Sequence, residues 1–127
     1  MGVDAYGWIE VRDQVWVPAV KITHLADRNY ELFSRVFGIT ENGIKDDAII
    51  GLRGLPEDAS PDVRDNYNEF KPEPYASWMT YDEFKELVYP EVKDCTTPDW
   101  ELVFKLMKDL AEKYGDYNVR LVVWFDV

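Results

Sequence analysis

The chain contains only one cysteine and one histidine in 127 residues. Cys95 alone excludes an internal disulfide and any zinc site built from several cysteines. With His24 as the single imidazole, only one His-based catalytic arrangement exists, and no nucleophile in the sequence is paired with an obvious base. We therefore expect a protein that is not an enzyme and has no cofactor.

Long apolar runs are also missing. No stretch approaches the roughly 20 apolar residues of a membrane-spanning helix. The N-terminus has no basic segment followed by an apolar run, so the sequence does not predict a signal peptide. These features favour a cytoplasmic protein without a membrane partner, located in the host cell if the gene belongs to a phage.

Positive charge is scarce, since 14 Lys and Arg stand against 25 Asp and Glu, a formal net charge of −11 at pH 7. Direct nucleic-acid binding needs Lys and Arg to replace phosphate counterions and is not expected. Residues 57–101 hold thirteen of the acids, four bases and eight aromatic residues. Acids mixed with aromatics favour a partner with a basic surface, although charge alone also serves solubility.

The length is typical of a single domain, taken here as residues 1–127. Alternating apolar residues predict strands over 6–11 and 15–20, joined as a hairpin with Trp8 and Trp16 on one face. Pro18 lacks an amide donor, which places the second strand at an edge. Residues 119–125 are apolar on both faces and predict a central strand.

Four helices are expected around this sheet. Asp27 is predicted to cap the first, over about 28–37, and a long loop with one short apolar interruption follows over 39–59. Ser60 is a hydroxyl cap for a helix that ends near Phe70, where Lys71 to Pro74 break it. The fold class is therefore α+β, a small and mostly antiparallel sheet packed with about four helices.

The remaining two helices have equally clear ends. Thr80 and Glu83 form a capping box for a helix over about 81–88, which buries Phe84, Leu87 and Val88 and is ended by Pro90. The longest helix runs over about 98–114, from Pro98 to a stop at Gly115. Its predicted apolar stripe includes Leu102, Val103, Leu106, Met107, Leu110 and Tyr114.

Arg53 is a candidate ligand residue, although the glycines around it match no phosphate-binding motif. Its guanidinium can hold a phosphate or carboxylate bidentately, or it can tie its own loop to a carboxylate. Tyr75 and Trp78 can stack a planar ligand, or pack in the core. Asp4, Glu10 and Asp126 lie near strand ends and are either ordinary surface charges or an all-carboxylate magnesium site.

Five segments, distributed in order along the chain, resemble a family of uncharacterised phage and bacterial proteins. Residues 53–60, Arg-Gly-Leu-Pro-Glu-Asp-Ala-Ser, are the most distinctive. Typical relatives begin Met-Gly-Cys-Asp-Ile-His, whereas this chain has Val3 in place of the cysteine and Tyr6 in place of the histidine. Relatives also often carry a histidine before the segment 76–80, in the region where this chain has Pro74-Tyr75. The resemblance implies a phage or mobile-element origin and supplies no active site. The segments are 1–4, 28–33, 53–60, 76–80 and 119–126.

The leading hypothesis is a non-enzymatic phage protein that binds a host protein, in the form of a nucleic-acid mimic that inhibits a defence nuclease. Carboxylates would supply the charge and aromatics the anchors. The alternative is a binder of a nucleotide-like molecule, with Arg53 on a phosphate and Trp78 or Tyr75 on a base. A carboxylate-metal enzyme is the second alternative. The candidate partner-binding residues are Asp58, Asp62, Asp65, Glu69, Tyr75, Trp78, Tyr81, Asp82, Glu83 and Glu86.

Overall fold

A computed structural model of the protein describes residues 2–70 and 75–126. Its strands and helices alternate irregularly along the chain, as the α+β prediction requires. In chain order they are β1 (Asp4–Asp13), β2 (Val15–Lys21), α1 (Tyr30–Phe37), β3 (Ile39–Thr40), β4 (Gly43–Ile44), α2 (Pro61–Phe70), β5 (Ala76–Thr80), α3 (Tyr81–Glu83), a π-helical turn (Phe84–Val88), α4 (Tyr89–Val92), α5 (Pro98–Tyr114), a 3₁₀ turn (Asp116–Asn118) and β6 (Val119–Asp126).

Four strands form one antiparallel sheet in the order β2-β1-β6-β5. The predicted hairpin of β1 and β2 is confirmed, and β2 is the edge strand that Pro18 indicated. The predicted central strand is also confirmed, because β6 pairs with β1 on one side and with β5 on the other. Every residue of β6 from Val119 to Phe125 is buried, as a strand covered on both faces must be.

The two faces of the sheet are covered by different helices. Ile9, Leu121 and Phe125 lie on the face that packs against α1, α5 and the segment 81–92. Val122 and Trp124 lie on the opposite face, beneath Val63 and Tyr67 of α2. Since neighbouring residues of a strand point to opposite faces, the apolar run from Leu121 to Phe125 of β6 supplies both cores at once.

The helix that follows β5 differs from its prediction. It continues past Pro90 to Val92, because Pro90 occupies the first turn of α4, where a missing amide is tolerated. The helix includes the π-helical turn, in which hydrogen bonds join residues five positions apart instead of four. This wider turn moves the residue three positions after Phe84 away from the buried face. Phe84 and Val88 are therefore buried as predicted, while Leu87 is 54% exposed.

Helix caps and stripes were predicted less accurately than the helices themselves. Asn29, rather than Asp27, caps α1 by accepting the amide of Leu32. Asp27 instead accepts the hydroxyl of Thr97 at 2.9 Å. In α5 the buried stripe is rotated from the predicted one, so Leu102 is exposed. Its buried members are Trp100, Val103, Phe104, Met107 and Ala111.

Two strand pairings were not predicted. β5 is too short to show alternation, and the sequence predicted no element between Pro74 and Thr80; in the structure β5 forms the second edge of the sheet. β3 and β4 form a two-residue hairpin at the start of the predicted loop. The short apolar interruption predicted within this loop, residues 48–50, is bonded to α1. The amides of Ile49 and Ile50 donate to the carbonyls of Arg35 and Val36 at 2.9 Å. The predicted helix break at 71–74 lies outside the described residues.

Within the described ranges, no helix combines the length and the apolar character that crossing a bilayer requires.

Gly7 of β1 lies where the backbone of β6 leaves no room for a side chain. Its φ is +152°, and a Cβ at this position would lie 2.0 Å from the carbonyl oxygen of Val122 in β6. We expect Gly7→Ala to lower the free energy of unfolding by roughly 3 kcal/mol, because β1 must move away from its central partner. Urea denaturation measures the loss.

The matched control is Gly51→Ala. Gly51 also has a positive φ, of +78°, but nothing lies within 4 Å of an added Cβ. Only the backbone conformation is then strained, which costs about 1 kcal/mol. Equal losses for the two variants would show that the close approach of β1 and β6 is unimportant.

Candidate functional site

A buried ion pair joins the two central strands of the sheet. Glu10 of β1 and Arg120 of β6 are cross-strand partners on the α2 face, and Arg120 Nε donates to Glu10 Oε1 at 2.7 Å. The Glu10 side chain is 0% exposed and that of Arg120 is 4% exposed. Charges this deeply buried must be held by several hydrogen bonds to be tolerated.

The loop before α2 supplies these additional bonds. The amide of Ser60 donates to Glu10 Oε2 at 2.8 Å, and Arg120 Nη1 donates to Asp58 Oδ1 at 2.9 Å. Ser60 also caps α2 as predicted, with its hydroxyl oxygen accepting from Val63. The ion pair therefore anchors both the loop 53–60 and the first turn of α2 to the sheet.

One donor of this network is left over. Arg120 Nη2 is buried and has no hydrogen-bond partner anywhere in the described ranges. An unsatisfied buried donor of a charged group costs about 1–3 kcal/mol or more, so native structures rarely keep one without a reason. Arg120 lines a surface cavity, but this nitrogen is itself buried and is not exposed to the cavity.

Two tryptophans wall the cavity. The ring of Trp16, from the edge strand β2, lies 3.9 Å from the guanidinium carbon of Arg120. The ring of Trp78, from the opposite edge strand β5, lies 5.9 Å from the same carbon. Each indole also contacts a second arginine, Arg12 on Trp16 at 4.9 Å and Arg53 on Trp78 at 4.7 Å. These are cation–π contacts, and they hold the arginine and tryptophan side chains against one another.

Arg53 is held on the rim by a bidentate ion pair. Its two terminal nitrogens donate to the carboxylate of Glu83 at 2.8 and 2.6 Å. Glu83 in turn belongs to the predicted capping box with Thr80, which is confirmed. The main-chain amide of Arg53 donates to the hydroxyl of Ser77 at 3.2 Å. Arg53 therefore ties its loop to β5 and to the helix after it. This is the structural role that the sequence offered as the alternative to ligand binding.

Contacts with these arginines accompany a lowered pKa at two carboxyl groups, Asp58 and Glu83. Burial raises the pKa of the Asp58 carboxyl, but the hydrogen bond and charge of Arg120 outweigh burial, and the net direction is downward. The hydrogen bond from Arg53 is the main cause of the lowered pKa of Glu83. Both groups are therefore anions at neutral pH and weak bases, suited to orienting arginines.

The cavity has a volume of about 690 Å³, within the range of small-molecule sites. It lies at one end of the sheet, on the α2 face, between the two edge strands. Its lining residues come mainly from the segments 53–60, 76–80 and 119–126 and from the hairpin of β1 and β2. We call it the arginine–tryptophan pocket; its lining residues are Arg12, Trp16, Arg53, Leu55, Pro56, Glu57, Asp58, Trp78, Thr80, Tyr117 and Arg120.

The sheet divides the residues that were predicted to form one partner-binding surface. Asp62, Asp65 and Glu69 are exposed on α2, which covers one face. Asp82 and Glu86 belong to the segment 81–92, which packs against the other face. The acidic stretch is therefore not one continuous surface, because β5 separates its two helices.

The predicted anchors and linking acids have different surroundings. Tyr81 is 9% exposed and belongs to the core, so it is not an exposed anchor. Tyr75 is half-buried, and its carbonyl accepts the amide of Phe125 at 2.9 Å, which extends the pairing of β5 with β6. Asp58, Glu83 and Trp78 are the partner-binding candidates that belong to the pocket network.

The three carboxylates of the magnesium hypothesis do not converge. Asp4 and Asp126 are cross-strand partners, and Asp4 forms an ion pair with Arg28 at 2.6 Å. Glu10 lies six residues farther along β1, about 20 Å away, and holds Arg120. Residues 2–70 and 75–126 contain no group of three or more side chains able to hold a metal ion.

Sequence reasoning missed Trp16, Arg12 and Arg120 as site residues. One signal was present, because Arg120 interrupts the otherwise apolar run 119–125, and Glu10 lies between the apolar residues Ile9 and Val11. A charged residue at such a position needs a partner of opposite charge, and these two are the natural pair. Trp16 carried no signal, since its position over Arg120 depends on the register of β2.

Comparisons with known proteins return no match: no family model fits the chain, and no curated protein or solved structure is similar to it. Inferences about function therefore rest on the geometry of the site.

Glu10 is the residue on which the site most depends. We expect Glu10→Gln to lower the free energy of unfolding by about 3–5 kcal/mol, because it leaves the buried Arg120 charge without its closest counterion. The control Asp109→Asn removes the exposed pair of Lys105 and Asp109, at 2.8 Å, and should cost less than about 0.5 kcal/mol. Urea denaturation compares them, and losses of similar size would contradict a structural role for the buried pair.

Proposed function

We propose that the protein is a non-enzymatic binder of a small, nucleotide-like molecule, which occupies the arginine–tryptophan pocket. The observation that carries the proposal is a cavity lined by the half-buried ring of Trp78 and by three arginines, of which Arg12 is exposed and forms no ion pair within the described residues. A planar ligand that carries negative charge would stack on Trp78 and lie beside these arginines.

The pocket is suited to recognition because its polar groups are already held in place. Arg120 is fixed by Glu10 and Asp58, and Arg53 by Glu83, before any ligand arrives. Fixed donors lose little conformational entropy when a ligand binds, which raises affinity. The carboxylates are occupied by arginines and serve to position them.

Trp78 gives a direct test. A thermal-shift screen against nucleotides and cyclic signalling nucleotides selects a ligand, and titration calorimetry then measures its affinity. We expect Trp78→Leu to weaken binding about tenfold or more, because stacking of a base on an aromatic ring contributes about 1–3 kcal/mol.

Trp8→Leu is the control for this variant. Trp8 is half-buried on the same face of the sheet and packs against the same core cluster as Trp78, but it lies outside the pocket. The control should bind the ligand as the wild type does. A screen without any stabilising nucleotide, or equal losses for both variants, would count against the proposal.

We propose as a second candidate the docking of the acidic face of α2 on a basic surface of a host protein, such as a defence nuclease. Asp62, Asp65 and Glu69 are exposed, and none of them forms an ion pair within the described part of the chain. Free carboxylates on one helix form a field that steers a cationic partner toward it. A phage origin would fit such an inhibitor.

Charge reversal tests this second function. A panel of DNA nucleases and RNA-guided nuclease complexes is screened for binding over a salt series. We expect Asp62→Lys, Asp65→Lys and Glu69→Lys together to weaken binding at least tenfold and to flatten its salt dependence, because the reversed face repels the basic partner.

The matched control reverses three exposed acids outside α2, namely Glu41, Asp46 and Glu112, so that the net charge changes equally. It should retain most of the affinity. Binding that survives the reversal on α2, or a panel without any binder, would contradict this function.

A further inference from the structure

A surface cavity lies on the side of the sheet away from α2, between the segment 81–92 and α5. We call it the α5 groove. Its volume is about 630 Å³, within the range of small-molecule sites. Aromatic rings form its floor, because Phe84 and Phe104 lie 4.2 Å apart between ring centroids and Tyr89 lies 5.6 Å from Phe84. The floor of the groove is therefore apolar.

The groove also has apolar side chains that are open to solvent. Leu102 is 45% exposed, although the other large apolar residues of α5 are buried or half-buried. Pro98, the first residue of the helix, is exposed as well, and Tyr89 is half-buried. Covering such surface with an apolar chain removes it from water, which is favourable.

Three lysines line the same groove. Lys85 is paired with Asp116 at 2.5 Å, and Lys105 is paired with Asp109 at 2.8 Å. Lys108 is exposed and forms no ion pair within residues 2–70 and 75–126. Lys108 is therefore the lysine of the groove whose charge is available to an anion.

The charged and apolar parts of the groove lie at opposite ends of α5. Pro98 and Lys108 are separated by about 15 Å along the helix axis. Glu101 lies near the Pro98 end, where its carboxylate accepts the hydroxyl of Thr96 at 2.6 Å. Because a carboxylate repels an anion, an amphiphile with a negative head is oriented with its head toward Lys108 and its chain toward Pro98.

We propose that the α5 groove binds a free fatty acid, independently of the arginine–tryptophan pocket on the other face of the sheet. The carboxylate of the ligand lies on Lys108, and its acyl chain covers Leu102, Pro98 and Tyr89. Charge complementarity at one end and exposed apolar surface at the other match the two parts of this ligand. A concave site of this volume suits a single small molecule better than the surface of a bilayer.

Titration calorimetry with single-chain ligands, below their critical micelle concentrations, tests the assignment. Decanoate and dodecanoate are compared with dodecyltrimethylammonium, which has the dodecyl chain and the opposite charge. We expect one dodecanoate to bind per protein chain, at least fourfold tighter than decanoate, because further methylene groups are buried. Dodecanoate should also bind at least fivefold tighter than the cation, because the lysines select a negative head.

Lys108→Glu and Lys113→Glu form a matched pair for the charged end. Both lysines are exposed on α5 and form no ion pair in the described part of the chain, but Lys113 lies outside the groove. We expect Lys108→Glu to weaken dodecanoate binding at least fivefold, because it replaces attraction of the carboxylate by repulsion. Lys113→Glu should change the affinity less than twofold.

Leu102→Asn and Leu87→Asn form the matched pair for the apolar end. Leu87 is 54% exposed and Leu102 is 45% exposed, so neither substitution disturbs the core, and Leu87 lies outside the groove. Only Leu102→Asn should weaken dodecanoate binding, by about threefold or more, because it removes apolar surface that the chain covers.

Several results would overturn the proposal. They are the absence of dodecanoate binding, equal binding of the cation, and equal losses within either pair of variants. Binding to phosphatidylglycerol vesicles without binding to monomeric dodecanoate would assign the groove to a membrane surface instead. A dimer in sedimentation that Leu102→Asn dissociates would assign it to a second copy of the chain. The nucleotide proposal is tested separately, because its pocket lies on the opposite face.

Discussion

The ion pair of Glu10 and Arg120 is the interaction on which the rest of the structure depends. It is buried between the two central strands, where an uncompensated charge would cost several kcal/mol. Its remaining bonds reach Ser60 and Asp58, so the loop 53–60 and the start of α2 are positioned by it. A hydrophobic pair would pack as well at this position but would leave the loop without these hydrogen bonds.

The same pair explains why a pocket exists at this end of the sheet. The guanidinium of Arg120 is held by carboxylates at two edges, and the rings of Trp16 and Trp78 lie beside it. Packing elsewhere on this face is apolar, with Val63 over Val122 and Trp124. The pocket therefore lies where the apolar contact between α2 and the sheet ends and the hydrogen-bonded network of Glu10 and Arg120 begins.

Much of the architecture was predictable because it depends on local patterns. The hairpin, the strand 119–125, which is apolar except for Arg120, the Ser60 cap and the capping box of Thr80 follow from side-chain period and capping chemistry, and each is confirmed. β5 was not predictable from five residues with no alternation. The rotation of Leu87 to the surface was equally hidden, because a π-helical turn changes the period on which the prediction depends.

The sequence by itself determined the class of the fold, the excess of acid, and the shortage of the cysteine and histidine that most catalytic and zinc sites need. It also named Arg53, Trp78 and Asp58 as candidates for binding. Only the tertiary structure decided that Arg53 is bound to Glu83, that the acidic helices lie on opposite faces, and that Nη2 of Arg120 is buried without a partner in the ranges 2–70 and 75–126. The reason is physical: composition and period are properties of neighbours along the chain, whereas this pocket is made by side chains up to 110 residues apart, brought together by strand register.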